Sequence, residues 1–223
     1  MKGVGIGIIG LGNVGGGTLT ILAENAAEIA RKLGFPLRVV AVCSRNPQAK
    51  ALPAGVEPAL ITNDWRQVVT HPEVEIVAEL VGGVGVAAEI VEAALLAGKC
   101  VVTANKELVA LRGPELCLLA ERHGATLAME ASVCGGIPIH AVLREGIAGD
   151  RVEALFGILN GTSNYILTEI EQRGAGFDEV LGEAQRLGYA EAVPDLNGTV
   201  VKLHGPVGHC QPDSRSVLLG RKV

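Results

Sequence analysis

Gly10-Leu11-Gly12-Asn13-Val14-Gly15 is the first stretch of the chain whose residue types and spacing could do chemistry. It follows an apolar run, Val4 to Ile9, and leads into a helical pattern read over Thr18 to Leu33. A G-x-G-x-x-G turn between a strand and a helix is the pattern of dinucleotide binding. Gly10 permits the tight turn and Gly12 lets the backbone approach a pyrophosphate. Gly15 lets the helix pack closely on the strand, with its N-terminus towards the phosphates. The motif alone is weak, and its place directly after a first strand is what gives it weight. A second apolar run, Leu37 to Val42, reads as a strand buried on both faces. An NAD-preferring site places Asp or Glu at the end of that strand, whereas this chain has Cys43-Ser44-Arg45-Asn46. Arg45 can pair with a 2′-phosphate and Ser44 can donate to it, which points to NADP, with NAD still open. The plainer reading of Arg45 is a solvated loop residue.

Further candidates lie where strands end. Lys106 follows the strand-like Cys100 to Thr103. A lysine there can polarise a carbonyl, bind a carboxylate or relay a proton. The bland alternative is a solvated lysine in a first helical turn, a position the helix dipole disfavours. Glu130 closes the next strand and precedes Ala131-Ser132-Val133-Cys134-Gly135-Gly136-Ile137-Pro138. A carboxylate beside free carbonyls can hold a hard cation, although a capping role is the commoner one. Asn160-Gly161-Thr162-Ser163-Asn164 suits helix capping and anion contact equally.

These residues need a scaffold, and the alternation of strand and helix patterns up to residue 131 predicts an α/β fold with a doubly wound, parallel, Rossmann-type sheet. The pattern places helices at Asp64–Thr70, Val86–Ala97 and Glu107–His123, and strands at Glu75–Val81, Cys100–Thr103 and Thr126–Ala131. After residue 131 the texture changes. A Gly-rich connector is followed by helical patterns at 139–147, 162–173 and 177–187 and a strand-like run at 152–159. The expected organisation is a dinucleotide domain over 1–131, part of an α+β substrate domain over 132–192, and a divergent, poorly ordered tail over 193–223.

The 223 residues are 48% hydrophobic and only 3% aromatic, so the core must be aliphatic. A net charge of −5 offers no basic footprint for nucleic acid. No apolar run approaches the roughly 20 residues of a membrane span. The five cysteines form no C-x-x-C pair. The first four lie in apolar sequence and read as small buried hydrophobes, which fits a reducing, cytoplasmic compartment. His204 and His209 near Cys210 lack a fourth ligand, so a metal reading there is poor.

Taken together, the segments resemble homoserine dehydrogenases. The matching stretches are Gly10 to Gly15, Val101-Val102-Thr103-Ala104-Asn105-Lys106-Glu107-Leu108, Glu130 to Pro138, Ile158 to Leu167, and Leu187-Gly188-Tyr189-Ala190-Glu191-Ala192. They come in the family's order and cover roughly residues 1 to 192. The first is shared by many dehydrogenases; those at Glu130 and Ile158 are far more specific. The resemblance implies NAD(P)-dependent, reversible reduction of L-aspartate 4-semialdehyde to L-homoserine, in threonine and methionine biosynthesis. It implies a cofactor site that includes Gly10, Gly12, Asn13, Val14, Gly15, Arg45, Thr103, Lys106 and Gly188. Lys106 would sit near nicotinamide and substrate, and Glu191 would bind the substrate's amino group. Glu130 with the carbonyls of Val133, Gly135 and Ile137 would match the family's sodium site. A homodimer through the second domain is also implied.

The chain departs from the family after Glu191. The family's Ala-Asp-Pro is Ala192-Val193-Pro194 here, and the spacing from Gly198 to Lys202 is shorter than the family's. Lys202 is matched to the family's proton-donating lysine. Each residue lost from a helix rotates the remainder of that helix by about 100°, so the register of Lys202 stays open. Beyond Leu203 the resemblance ends, which leads us to expect a truncated or frame-shifted product. Two functions compete: an active homoserine dehydrogenase, and an inactive NADP-binding remnant of one. A semialdehyde dehydrogenase with Cys134 as nucleophile is a poor third.

Overall fold

A computed structural model of the chain describes residues 3–47, 51–152, 157 and 161–187. The chain divides into two compact units, Met1–Ser132 and Val133–Val223. Among the described residues no helix is long and apolar enough to cross a membrane.

The first unit is a six-stranded sheet. Its strands are β1 (Val4–Ile9), β2 (Leu37–Cys43), β3 (Leu60–Thr62), β4 (Ile76–Glu79), β5 (Cys100–Thr103) and β6 (Leu127–Ala128). All pairings are parallel, in the order β3-β2-β1-β4-β5-β6. The chain therefore winds outward twice from the centre, and the order reverses between β1 and β4. In open sheets of this kind, ligands bind in the crevice beyond the carboxyl ends of the strands at that reversal. β4 lies between β1 and β5, with Glu79 opposite both Ile9 and Thr103.

Alternation along the strands sends side chains to two apolar layers. Ile6, Ile8, Val42 and Ala78 meet Leu19 of helix α1 (Asn13–Glu24) on one face. Val77, Val101 and Ile9 belong to the layer on the other face. That layer is completed by α3 (Trp65–Thr70), α4 (Gly85–Leu96) and α5 (Lys106–Arg122). The core is aliphatic, as the composition requires.

Several boundaries differ from the sequence reading. The helix expected from Thr18 begins at Asn13 and ends at Glu24, and α2 (Ala26–Leu33) comes next. Asn25 separates them: its φ of −106° and ψ of 15° leave the helical region, and its side-chain amide donates to the Ile21 carbonyl at 3.2 Å. Short polar side chains compete with the helix in this way. Gly34, at φ +82°, closes α2. Asp64 is the N-cap of α3 rather than its first residue, accepting from the Arg66 N–H at 3.0 Å. β3 was not foreseen, and the strand expected over Thr126–Ala131 is two residues long before a 3₁₀ turn at Glu130–Ser132.

The second unit holds α6 (Ile139–Ala141), which opens into a wider π turn over Val142–Gly146. The Ile147 N–H donates to the Val142 carbonyl at 3.0 Å, five residues back. Beyond these lie α7 (Gly161–Arg173) and α8 (Phe177–Arg186), packed on a core of Ile166, Val180 and Ala184. Arg173 at the end of α7 reaches Glu169 and Glu183 at 2.8 Å each, and Glu179 at 3.5 Å. The strand expected at 152–159 falls almost entirely outside the described residues.

Candidate functional site

The turn from β1 into α1 is shaped by what its glycines lack. Gly10 has a φ of +105°, and a Cβ there would lie 2.5 Å from the Leu80 carbonyl oxygen. A Cβ on Gly15 would lie 1.9 Å from the Gly10 carbonyl oxygen. These two positions are closed to side chains by the protein's own backbone. The Gly10 N–H donates to the Cys43 carbonyl at 2.9 Å, which anchors the turn to the end of β2. Gly12 is different. It is the N-cap of α1, and a Cβ there would meet nothing within 4 Å. The helix start carries no side-chain cap and no acidic residue in its first turn. Its first N–H groups and the positive end of its dipole therefore have no side-chain partner among the described residues, and Gly12, Asn13 and Val14 are exposed. An anion such as a pyrophosphate fits that cradle.

The end of β2 supplies the next residues. Arg45 is exposed and makes no hydrogen bond or ion pair with the described residues. Cys43 beside it is buried. Burial first, and the charge of Asp64 second, push its thiol up to about 11. Cys43, Cys100, Cys117 and Cys134 take part in no disulfide among the described residues.

On the far side of β1 the crevice is built from polar contacts. The Glu79 side chain is fully buried at the end of β4. Its Oε1 accepts from the N–H groups of Val81, at 2.9 Å, and Gly82, at 3.2 Å. Its Oε2 accepts from the Thr103 hydroxyl at 2.6 Å. The Thr103 hydroxyl in turn accepts from the Asn105 N–H at 3.0 Å. Asn105 donates through its amide to the Gly83 carbonyl at 2.6 Å, and its Oδ1 caps α5 by accepting from the Leu108 N–H at 3.1 Å. One network thus joins the β4–α4 turn to the β5–α5 turn. Gly82 and Gly83 both have positive φ, and Cβ atoms there would meet nothing within 4 Å.

Lys106 is the first residue of α5, immediately after capping Asn105. It is exposed and makes no hydrogen bond or ion pair with the described residues. Its ammonium is thus delivered to the crevice end of β5 and left uncommitted. The Thr103 hydroxyl, by contrast, is consumed within the protein, so a Thr103 contact to a cofactor would come from its backbone. Gly10, Gly12, Asn13, Val14, Gly15, Arg45, Thr103 and Lys106 all belong to the first unit, at the crevice ends of β1, β2 and β5.

Glu130 begins the 3₁₀ turn that ends the first unit. Val133, Gly135 and Ile137 open the second. There the chain turns through φ +48° at Cys134 and φ +85° at Gly136, and the Ile137 N–H donates to the Cys134 carbonyl at 2.7 Å. The carbonyls of Val133 and Gly135 accept no hydrogen bond from the described residues. No cluster of three His, Cys, Asp or Glu side chains suited to a metal occurs among the described residues. Gly188, Glu191 and Lys202, and the tail expected over 193–223, lie outside the described residues.

The sequence reading missed Glu79. Its signal was a carboxylate closing an otherwise apolar strand directly before Val81-Gly82-Gly83, where a doubly buried strand has no ordinary place for a charge.

Comparison with known proteins bears directly on this geometry. Residues 10–130 match the family described as homoserine dehydrogenase, NAD binding domain, and residues 138–202 match that described as homoserine dehydrogenase. A homoserine dehydrogenase of Pseudomonas aeruginosa is 47% identical over 197 residues, covering 88% of this chain and 45% of that protein. The solved structure of a homoserine dehydrogenase from Thiobacillus denitrificans superposes with a TM-score of 0.80 at 50% identity, over 89% of this chain and 47% of that one. A hyperthermophilic archaeal homoserine dehydrogenase, solved in complex with NADPH, gives a TM-score of 0.69 at 27% identity, over 86% of this chain and 64% of that one. The chain spans about half the length of the curated relatives it matches. The six-stranded parallel sheet is thus that of an NAD-binding domain, and the chain belongs to the homoserine dehydrogenase family.

Proposed function

We propose that this chain catalyses the NAD(P)-dependent, reversible reduction of L-aspartate 4-semialdehyde to L-homoserine. The observation that carries the reading is the crevice of the first unit: an open helix N-terminus at Gly12 on one side and an uncommitted lysine, Lys106, on the other. When bound there, the nicotinamide supplies the hydride. The α1 N-terminus would hold the pyrophosphate. The Lys106 ammonium steadies the negative charge that develops on the carbonyl oxygen of the aldehyde. Glu191 is proposed to hold the substrate's ammonium, and Lys202 to give the alkoxide its proton.

The finer parts of the reading rest on separate observations. The exposed Arg45, without a carboxylate at the end of β2, supports NADP over NAD. Glu130 and the carbonyls of Val133, Gly135 and Ile137 are hard oxygen donors of the kind a sodium ion takes. The carbonyls of Val133 and Gly135, which accept no hydrogen bond from the described residues, fit that use. Leu167 and Leu187 of the second unit, 38% and 59% exposed, support a homodimer through that unit. Four cysteines outside any disulfide among the described residues support a reducing, cytoplasmic setting.

A second reading has its own observation. Val193 replaces the family's Asp, and the spacing before Lys202 is altered, which favours a protein that binds NADPH without turning over. Oxidation of NADPH by the purified 223-residue protein, with aspartate semialdehyde as substrate, separates the two. Turnover that falls at least about 100-fold in Lys106→Ala supports the enzyme. NADPH binding without any turnover supports the second reading. In the same assay Arg45→Ala is expected to lower the ratio of NADP to NAD affinity, and an unchanged ratio removes Arg45 from the cofactor site.

A further inference from the structure

The β4–β5 half of the crevice contains a group that neither the glycine motif nor Lys106 accounts for. Glu79 is fully buried, and no cationic side chain among the described residues pairs with it. Its carboxylate is satisfied by three neutral donors, two on the β4–α4 turn and one on β5. A buried carboxylate without a counter-ion is costly to keep, and a well-packed apolar residue would fill the same space at less cost. An apolar residue would not hold these turns. Val81 and Gly82 would lose their common acceptor. Thr103 would lose the partner that orients its hydroxyl towards the Asn105 N–H.

The position gives the network a direction of action. Sheets of this order are two mononucleotide-binding halves that meet at the reversal, so a dinucleotide spans both. The glycine cradle and Arg45 belong to the β1–β2 half. Glu79, Thr103 and Asn105 belong to the β4–β5 half, and Asn105 both caps α5 and precedes Lys106. We infer that Glu79 is a positioning residue for the nicotinamide half of the cofactor site: through Thr103 and Asn105 it fixes the Gly82-Gly83 turn and the start of the helix that carries Lys106. This rests on the NAD(P) reading above.

The probes are NADPH and 2′,5′-ADP, which carries only the adenosine half. Glu79→Gln keeps the size of the side chain and can keep one oxygen on the Val81 and Gly82 N–H groups. It places an amide donor where the Thr103 hydroxyl needs an acceptor, which reverses or breaks that bond. NADPH binding, read by the fluorescence of the bound nucleotide, is expected to weaken about tenfold, with 2′,5′-ADP binding by calorimetry unchanged. Thr103→Val is expected to show the same split, and Thr103→Ser to return NADPH binding towards the parent value. Equal weakening of both probes would reduce Glu79 to a fold-stabilising residue and overturn the inference. No change in either would overturn it as well. If Glu79→Gln does not fold, the Thr103→Val and Thr103→Ser pair decides by the same split. A parent protein that binds neither probe would instead remove the NAD(P) reading, a different result from any of these.

Discussion

In the β1–α1 turn the N–H groups of Asn13, Val14 and Gly15 have no partner among the described residues, whereas in the β4–α4 turn the N–H groups of Val81 and Gly82 are already taken by Glu79. Both turns come after neighbouring parallel strands and open on the same crevice. The first is made by subtraction: side chains are removed at Gly10 and Gly15 so that backbone can close on backbone, and at Gly12 so that something else can approach. The second is made by saturation: every donor from Val81 to Asn105 that the network uses has an acceptor inside the protein. A turn of the first kind is a receptor for an anion. A turn of the second kind is a fixed wall, useful for holding a ring or a lysine in place.

This contrast can be broken most severely at Gly15. A Cβ there would lie 1.9 Å from a backbone oxygen that cannot move without opening the turn. Gly15→Ala is expected to cost about 3 kcal/mol of stability, read by chemical denaturation, with NADPH binding lost alongside. A stable, binding-competent Gly15→Ala would show that the turn is looser than its contacts require. Gly12→Ala should do the reverse. Its backbone, at φ −68° and ψ −163°, accepts alanine, and the added methyl meets no protein atom within 4 Å. The loss of stability should stay within about 1 kcal/mol, the difference between glycine and alanine as N-caps. NADPH affinity should fall about tenfold or more by the same fluorescence titration. Affinity equal to the parent's would mean that the phosphates do not approach Gly12.

The smallest effect belongs to Cys43, whose carbonyl holds the Gly10 N–H at 2.9 Å. Its thiol sits at about 11 in the folded chain, against an ordinary value of 9.0. The folded state therefore keeps the proton where the unfolded chain has begun to release it. The resulting stabilisation is complete below pH 9.0 and is lost as pH rises towards about 11. Melting temperatures measured across that window should decline more in the parent protein than in Cys43→Ala. Parallel declines would assign the alkaline loss to other groups.

The two turns also differ in how much of them the sequence discloses. The glycine turn is local. Its residues are neighbours, each glycine has a separate steric reason, and the flanking strand and helix are read from periodicity. β5 is likewise found at its observed bounds, Cys100–Thr103, because a short apolar run stands between a helix stop at Gly98 and the Asn105 cap. Glu79 and Thr103 are 24 residues apart, and nothing in either segment announces the other. Their meeting depends on the parallel register of β4 and β5, a tertiary fact. Other differences have simple causes. Gly16 and Gly17 hide the true start of α1, because glycine is a poor helix former that tertiary packing overrides here. The two or three residues of β3 and β6 are too few to show a period.

The Arg173 cluster of the second unit has a consequence of another sort. Among the described residues α7 and α8 share three fully buried side chains with five partly buried ones packed on them, and one guanidinium, 45% exposed, joins three carboxylates across the pair. Attractions between exposed charges are screened over about 8 Å at physiological ionic strength, and over still shorter distances as salt is added. The firmness of the helical pair is therefore expected to fall as salt is added. The first unit also has ion pairs, Arg112 of α5 with Glu92 of α4 among them, but it rests on two broad aliphatic layers.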